Sequence, residues 1–247
     1  MAIDVDLVYK TVLLILNKEQ RGYVTPEEFN KIGTQVQLEI FETYFDDLNQ
    51  QLRIPSNESE YADRQKNIDD KISIFKSIGA CTRTAPNIWF VVPSNTHRIG
   101  TVIYNNDTEL QRVQKNDLLY INKSALTKPT TTYPIYTYER ENVITSNSSM
   151  PNIYVYPSNV LDTSISVSYI KKPSNIKWAY TGLNGAAWVS GPYIYDSFNS
   201  IQFEIDNTEQ YILITKILLY MGIIIQDEQI VQVAAQQAQA ETINSKT

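Results

Sequence analysis

The stretch "KISIFKSIGACTRTAPNIWFVVPSN", Lys71–Asn95, is where this chain changes character. Up to it, apolar residues recur at helical spacing: Ile68, Ile72, Phe75 and Ile78 fall on one face. Gly79 then offers a natural helix stop, because a left-handed residue after the last turn is cheapest for glycine. Beyond it, short β-branched and aromatic runs alternate with turn residues. The reading predicts a helix over about 61–78 and a change of structural class after residue 79.

Working back towards the start, two more helices are predicted. The first runs from about Asp4 to Arg21, with Val5, Val8, Val12, Ile15 and Leu16 on one face and Leu7, Leu13 and Leu14 widening it. Gly22 is its stop. The strongest local signal follows in "VTPEEFNK". Thr25 can cap a helix, Pro26 suits its first position, and Glu28 completes a capping box. That second helix is predicted to run to about Arg53, closed by Pro55.

Working forward, the runs "IWFVVP", "RIGTVIYNN", "DLLYINK", "TYPIYTYE", "NIYVYP", "SISVSYIKKP", "KWAYTG", "AAWVSG" and "SIQFEI" read as strands. Asn184-Gly185 reads as a hairpin turn. Helical periodicity returns after Asn207, with Asn207 or Thr208 as the cap. A continuous helix over 208–240 would be about 50 Å long at 1.5 Å per residue. Its first half is apolar on nearly every side, which calls for burial all round. Its second half is mostly alanine and glutamine, which suits an arm laid against a neighbouring subunit.

The predicted fold class is therefore α+β: a helical body of three N-terminal helices and one long C-terminal helix, with an inserted antiparallel β-sandwich or barrel. The predicted parts are residues 1–79, 80–205 and 206–247.

Composition narrows the function classes. Hydrophobic residues are 43% and charged residues 19%, enough for a core and too few charges for a disordered chain. The net charge of −6 argues against tight binding to nucleic acid over the whole surface. Cys81 and His97 are the one cysteine and the one histidine. A disulfide framework within the chain, a cysteine zinc site and a multi-histidine metal centre are all excluded. The opening "MAIDVDLVYK" has no basic run and does not read as a secretory leader. The 15 residues Tyr211–Ile225, with Lys216 among them, are too short for a membrane span of about 20 apolar residues.

No phosphate-cradling glycine loop, nucleophile elbow or zinc-protease motif is present. His97 reads as a surface residue in a polar loop and Cys81 as a small buried side chain. Asp46-Asp47 and Asp69-Asp70 read as solvated helix faces, since neighbours on a helix point about 100° apart. No catalytic residue, metal ligand or cofactor site is expected. The candidate functional residues are instead interface residues. Tyr136, Tyr138, Tyr154 and Tyr156 sit in strand-like runs of the kind that fill cores or make protein contacts. Gln229, Gln232, Val233, Gln236 and Gln237 belong to the predicted arm. A sugar-stacking role for the aromatics, including Trp178 and Trp188, is the rival reading, and a glycan hydrolase a third.

Three segments carry a resemblance. They are "VYKTVLLILNKEQRGYVTPEEFNKIGTQVQLEIFETYFDDLNQ", "ISVSYIKKPSNIKWAY" and "FEIDNTEQYILITKILLYMGIIIQDEQIVQVAAQQAQ", together about two-fifths of the chain. They resemble virion structural proteins of tailed bacteriophages, in particular head-to-tail connector proteins of crAss-like podophages. The resemblance implies an adaptor or ring protein below the portal, in rings that are commonly twelvefold. The partners it implies are identical subunits, the portal protein, and the next tail ring or tail tube protein. Genomic DNA would be passing cargo and no membrane would be involved. The implied location is the virion, after assembly in the host cytoplasm.

Overall fold

The computed structural model describes residues 3–18, 24–51, 59–83, 89–105, 107–139, 152–158, 165–181, 193–225, 232, 235–237 and 239. Gly22, Pro55, Asn184, Gly185 and Trp188 lie outside them. The chain is α+β and divides into two compact units, Met1–Ile74 with Pro173–Thr247, and Phe75–Lys172.

The helical unit begins with α1 (Val5–Lys18), α2 (Pro26–Gln51) and α3 (Ser59–Ser73). The start of α2 is the capping box expected from the sequence. The Thr25 backbone N–H donates to Glu28 Oε2 at 2.9 Å, and the Glu28 N–H donates back to Thr25 Oγ1 at 3.3 Å. Two of the helix's orphan donors are satisfied reciprocally. Val5, Val8, Val12 and Leu16 of α1 are fully buried, and Tyr9 of α1 packs against Phe29 of α2 with ring centroids 4.9 Å apart.

The chain leaves this unit after α3 and returns at Pro173. Among the described residues, the strands of the returning segment pair with each other, and the boundary expected at residue 205 falls at Lys172 instead. The reason lies on one face of α2, where Asn30, Gly33 and Gln37 are spaced three and four residues apart. Asn30 works like the edge of a strand: its Oδ1 accepts from the Trp178 N–H at 2.7 Å and its Nδ2 donates to the Trp178 carbonyl at 3.3 Å. Gln37, fully buried, donates to the Ser174 carbonyl at 2.7 Å and accepts from the Glu204 N–H at 3.0 Å. Between them Gly33 has no side chain, and a Cβ there would meet Ile176 Cδ1 at 2.8 Å and Phe203 Cζ at 3.3 Å. Extended chain can thus lie against a helix with its backbone groups paired. Ile3 pairs with Phe203 on the far side of the segment, and Lys177 pairs with Ile201 within it. Its two short strands pair antiparallel at Tyr180–Thr181 and Ile194–Tyr195.

The C-terminal helix of this unit, Gln210–Ile225, is entered through a short turn capped by Asp206, whose carboxylate accepts from the Asn207 N–H. The cap thus lies one residue before the expected Asn207. Leu213, Ile217 and Met221 are buried, four residues apart. Burial all round is not realised: Tyr211 is 56% exposed and Ile214 and Leu218 are half-buried. Lys216 reaches Glu39 of α2, which also accepts from the Tyr220 hydroxyl at 3.1 Å. Lys71 of α3 pairs with Glu209.

The sheet unit starts earlier than residue 80. α3 ends at Ser73, and β1 spans Lys76–Ala80. Phe75 is buried as a helical reading requires, but Ile78 is 71% exposed. Gly79 is a strand glycine, not a helix stop: a Cβ there would meet Pro93 Cγ at 2.9 Å and Tyr169 Cε1 at 3.1 Å. The other strands are β2 (Trp89–Phe90), β3 (Thr96–Tyr104), β4 (Thr108–Glu109), β5 (Gln111–Arg112), β6 (Ile135–Glu139), β7 (Asn152–Tyr156) and β8 (Ile165–Lys171). They form two four-stranded sheets, β1-β8-β3-β4 and β2-β7-β6-β5. Residues of both sheets, among them Val102, Val167, Phe90 and Ile153, share one core cluster.

Two expectations are corrected here. "DLLYINK" is not a strand but part of a helix, Lys115–Ile121, with only Leu118 buried. That helix makes the sheets not wholly antiparallel. It lies in the connection from β5 to β6, and those two strands pair in parallel, Gln111 with Ile135. Parallel neighbours need a crossover of this kind.

Three tests follow from the α2 contacts. Thr25→Ala should cost about 1 kcal/mol in thermal or chemical denaturation, from loss of the cap. Its partner Glu28 is held below its ordinary value of 4.5, first by the Thr25 backbone bond and then by the Thr25 hydroxyl. A lowered carboxylate stabilises above its unfolded value and loses that contribution as pH falls through the folded one. Glu28→Gln should therefore be less stable than the native chain near neutrality and converge with it in acid; a pH-independent gap would refute the capping role. Asn30→Ala should cost roughly 2 kcal/mol, because it strands both backbone groups of the buried Trp178. A loss within error of zero in urea denaturation would show that the helix–strand bonds are not what docks the returning segment.

Candidate functional site

The outer faces of the helical unit are the first candidate surface. α1 is apolar on two sides. The side formed by Val5, Val8, Val12 and Leu16 is covered. On another side Leu7 is 50% and Leu14 58% exposed, seven residues apart and hence on one face. By helical periodicity alone these two leucines widen the buried face. α1 also contacts the C-terminal helix, which keeps Tyr211 outward.

The four candidate tyrosines do not form one surface. Tyr136 and Tyr138 alternate along β6, opposite Val155 and Ile153 of β7. They share the core-facing side, and Tyr136 is only 6% exposed. Tyr154 and Tyr156 lie on the opposite face, where Tyr154 packs against Trp89 with ring centroids 6.0 Å apart. Tyr136 is therefore a core residue, with burial raising its hydroxyl pKa. Strand alternation divides the four: side chains one residue apart along a strand lie on opposite faces. Of the predicted arm, Gln232, Gln236 and Gln237 are helical and exposed, whereas Gln229 and Val233 lie outside the described residues.

The groups that could do chemistry are elsewhere and separate. Cys81 is buried in the sheet core, and loss of hydration pushes its thiol up to about 12, so it stays protonated at neutral pH. His97 lies within strand β3 and half-buried, not in a polar loop. Asp46, Asp69 and Asp70 are exposed and Asp47 is half-buried. Among the described residues no group of three or more His, Cys, Asp or Glu side chains is placed to hold a metal ion.

Of the two tryptophans named for the sugar-binding alternative, Trp188 lies outside the described residues and Trp178 belongs to the core of the helical unit. Trp178 is buried, donates from Nε1 to Asp6 Oδ1 at 3.1 Å, and stacks on Tyr180 and Tyr195 at 6.0 and 5.7 Å. A platform for a sugar needs an open face, whereas this ring is 4% exposed with Tyr9, Tyr180 and Tyr195 against it.

One concave feature was not foreseen. A groove of about 850 Å³ in the sheet unit is lined by His97–Val102 of β3, by Glu109–Arg112, and by Tyr136 and Tyr138. The Arg112 guanidinium lies over the Tyr138 ring, 5.2 Å from its centroid. Only the odd juxtaposition of "RIGT" and "LQR" could have hinted at it, and nothing in a linear pattern says that those runs meet.

No protein family and no curated protein matches the chain. Among the described residues no helix is long and apolar enough to cross a membrane.

If Trp178 serves the core, Trp178→Ala should cost about 3–5 kcal/mol in chemical denaturation. Unchanged stability together with a selective loss of glycan binding would restore the sugar-site reading.

Proposed function

We propose that this chain is a structural ring subunit of a phage portal–tail connector, linking portal to tail around the DNA channel, and not an enzyme. The resemblance in three segments motivates the reading. The observation that supports it most is the second apolar face of α1. Covering a leucine such as Leu7 or Leu14 is worth about 2 kcal/mol, and a repeated contact of this kind suits a neighbour in a closed assembly.

The mechanism is geometric. Each subunit offers one surface to the portal, one to the next tail ring and two unlike side faces to its neighbours. Such heterologous contacts close into a ring when the rotation per subunit divides a full turn, here twelvefold on the family pattern. The pair of sheets is read as a β-sandwich that supplies further contact surface, and the exposed Gln232, Gln236 and Gln237 as part of an arm reaching a neighbour or the portal. The net charge of −6 suits passing DNA, since few phosphates are neutralised and little affinity develops. The place of action is the virion, after assembly in the host cytoplasm.

Two-dimensional class averages of the purified protein, alone and with portal, test this. Closed rings are expected. Leu7→Glu combined with Leu14→Glu should leave monomer stability within about 0.5 kcal/mol, as for other exposed positions, while abolishing rings. Rings that persist in the double variant would remove α1 from the interface, and a chain that stays monomeric with and without portal would sink the connector reading.

A further inference from the structure

The groove in the sheet unit has a chemistry that the ring reading does not use. In a chain of net charge −6, its charged lining is Arg98, Arg112 and the single carboxylate Glu109, with His97 beside them. The cationic character is local and set against the sign of the whole.

The fold builds this lining with irregularities in β3. Thr96 pairs with Lys171 and Arg98 with the adjacent Ile170, so His97 is an extra residue on β3. Ile99 pairs with Tyr169 and Val102 with Val167, so Gly100 and Thr101 together face Ser168. These are two bulges within one strand, and bulges re-aim side chains beside functional sites. Gly100 suits the second, since a Cβ there would stand 3.0 Å from the Ser168 carbonyl oxygen, a tight contact. Gly100 is itself exposed in the groove wall.

The other wall is short. On the edge of β3 away from β8, β4 pairs at Ile103 and Tyr104, and the Leu110 N–H donates to the Val102 carbonyl at 2.9 Å. The chain then passes to the second sheet at Gln111–Arg112, which pairs with β6. The stretch His97–Thr101 thus forms one side of the groove and Arg112 the other. The Arg112 guanidinium lies against the Tyr138 ring, a cation–π contact, and its donors suit a carboxylate.

We propose that this groove is a docking site for an acidic, extended segment of a partner polypeptide. Carboxylates of that segment sit on Arg98 and Arg112, and its backbone lies along Ile99–Thr101. A polypeptide is favoured over a nucleic acid strand by what lines the site. Backbone-exposed strand residues match another backbone, Glu109 would repel a run of phosphates, and two arginines and a histidine are too few to follow one. The inference goes beyond the ring reading and does not depend on it.

The test uses the full-length chain and a fluorescein-labelled peptide alternating aspartate and valine, followed by anisotropy. Saturable binding that weakens with salt is expected, with amide shifts in nuclear magnetic resonance centred on Ile99–Thr101. Arg112→Glu and, separately, Arg98→Glu should each weaken binding at least about tenfold, while circular dichroism shows each variant folded. A lysine–valine peptide of the same length and an oligothymidylate of the same charge should not bind. Absence of saturable binding, equal binding of the lysine peptide, tighter binding of the oligothymidylate, or undiminished binding by both folded variants would each overturn the proposal.

Discussion

The helical unit depends on one face of α2 being able to receive extended chain. A helix satisfies its own backbone, so a segment lying against it normally has no partners for its N–H and C=O groups. Asn30 and Gln37 supply those partners from side chains, two turns apart, and Gly33 between them lets the segment approach. The consequence is topological. The returning segment need not join a sheet to bury its backbone, so the N-terminal and C-terminal parts of the chain close into one unit while residues Phe75–Lys172 fold as the other.

This arrangement explains which parts of the fold were legible in the sequence. Capping chemistry is local, so Thr25 and Glu28 announced the start of α2 correctly. The α+β class was legible because period 3.6 and period 2 patterns occupy different stretches. The boundary at residue 205 was not, because "KWAYTG" and "SIQFEI" have strand character whether their partners are strands or amide side chains of a helix. Nothing local distinguishes the two cases; the difference is made by Asn30 and Gln37, more than a hundred residues away in sequence. The error at Phe75–Gly79 has the same origin. Ile72 and Phe75 are buried in both readings, and only the ladder to β8, from Lys76–Ile170 to Ala80–Ser166, selects the strand.

The candidate sites were legible to different degrees for a related reason. Residue type alone pointed to tyrosines, and the register of β6 on β7 then divided the four between two faces. Leu7 and Leu14 were visible as apolar but not as uncovered, because a helix with apolar residues on two sides gives no sign of which side has a partner. The groove was invisible, since it arises from two bulges and from a strand that changes sheets between Glu109 and Gln111.

The two surfaces differ in the kind of contact they suit. Exposed leucines on α1 gain free energy from area removed from water, with little dependence on salt or on the partner's charge. That is the economy of a permanent, repeated contact. The groove gains from placed charges, which fade within about 10 Å at ordinary ionic strength and act more on selectivity and encounter rate than on raw affinity. A contact between identical subunits needs no means of rejecting other partners beyond shape, whereas a contact with a different chain does. The groove, with Arg98 on the bulged β3 and Arg112 on β5, is therefore better fitted to choosing a partner, and the second face of α1 to holding one.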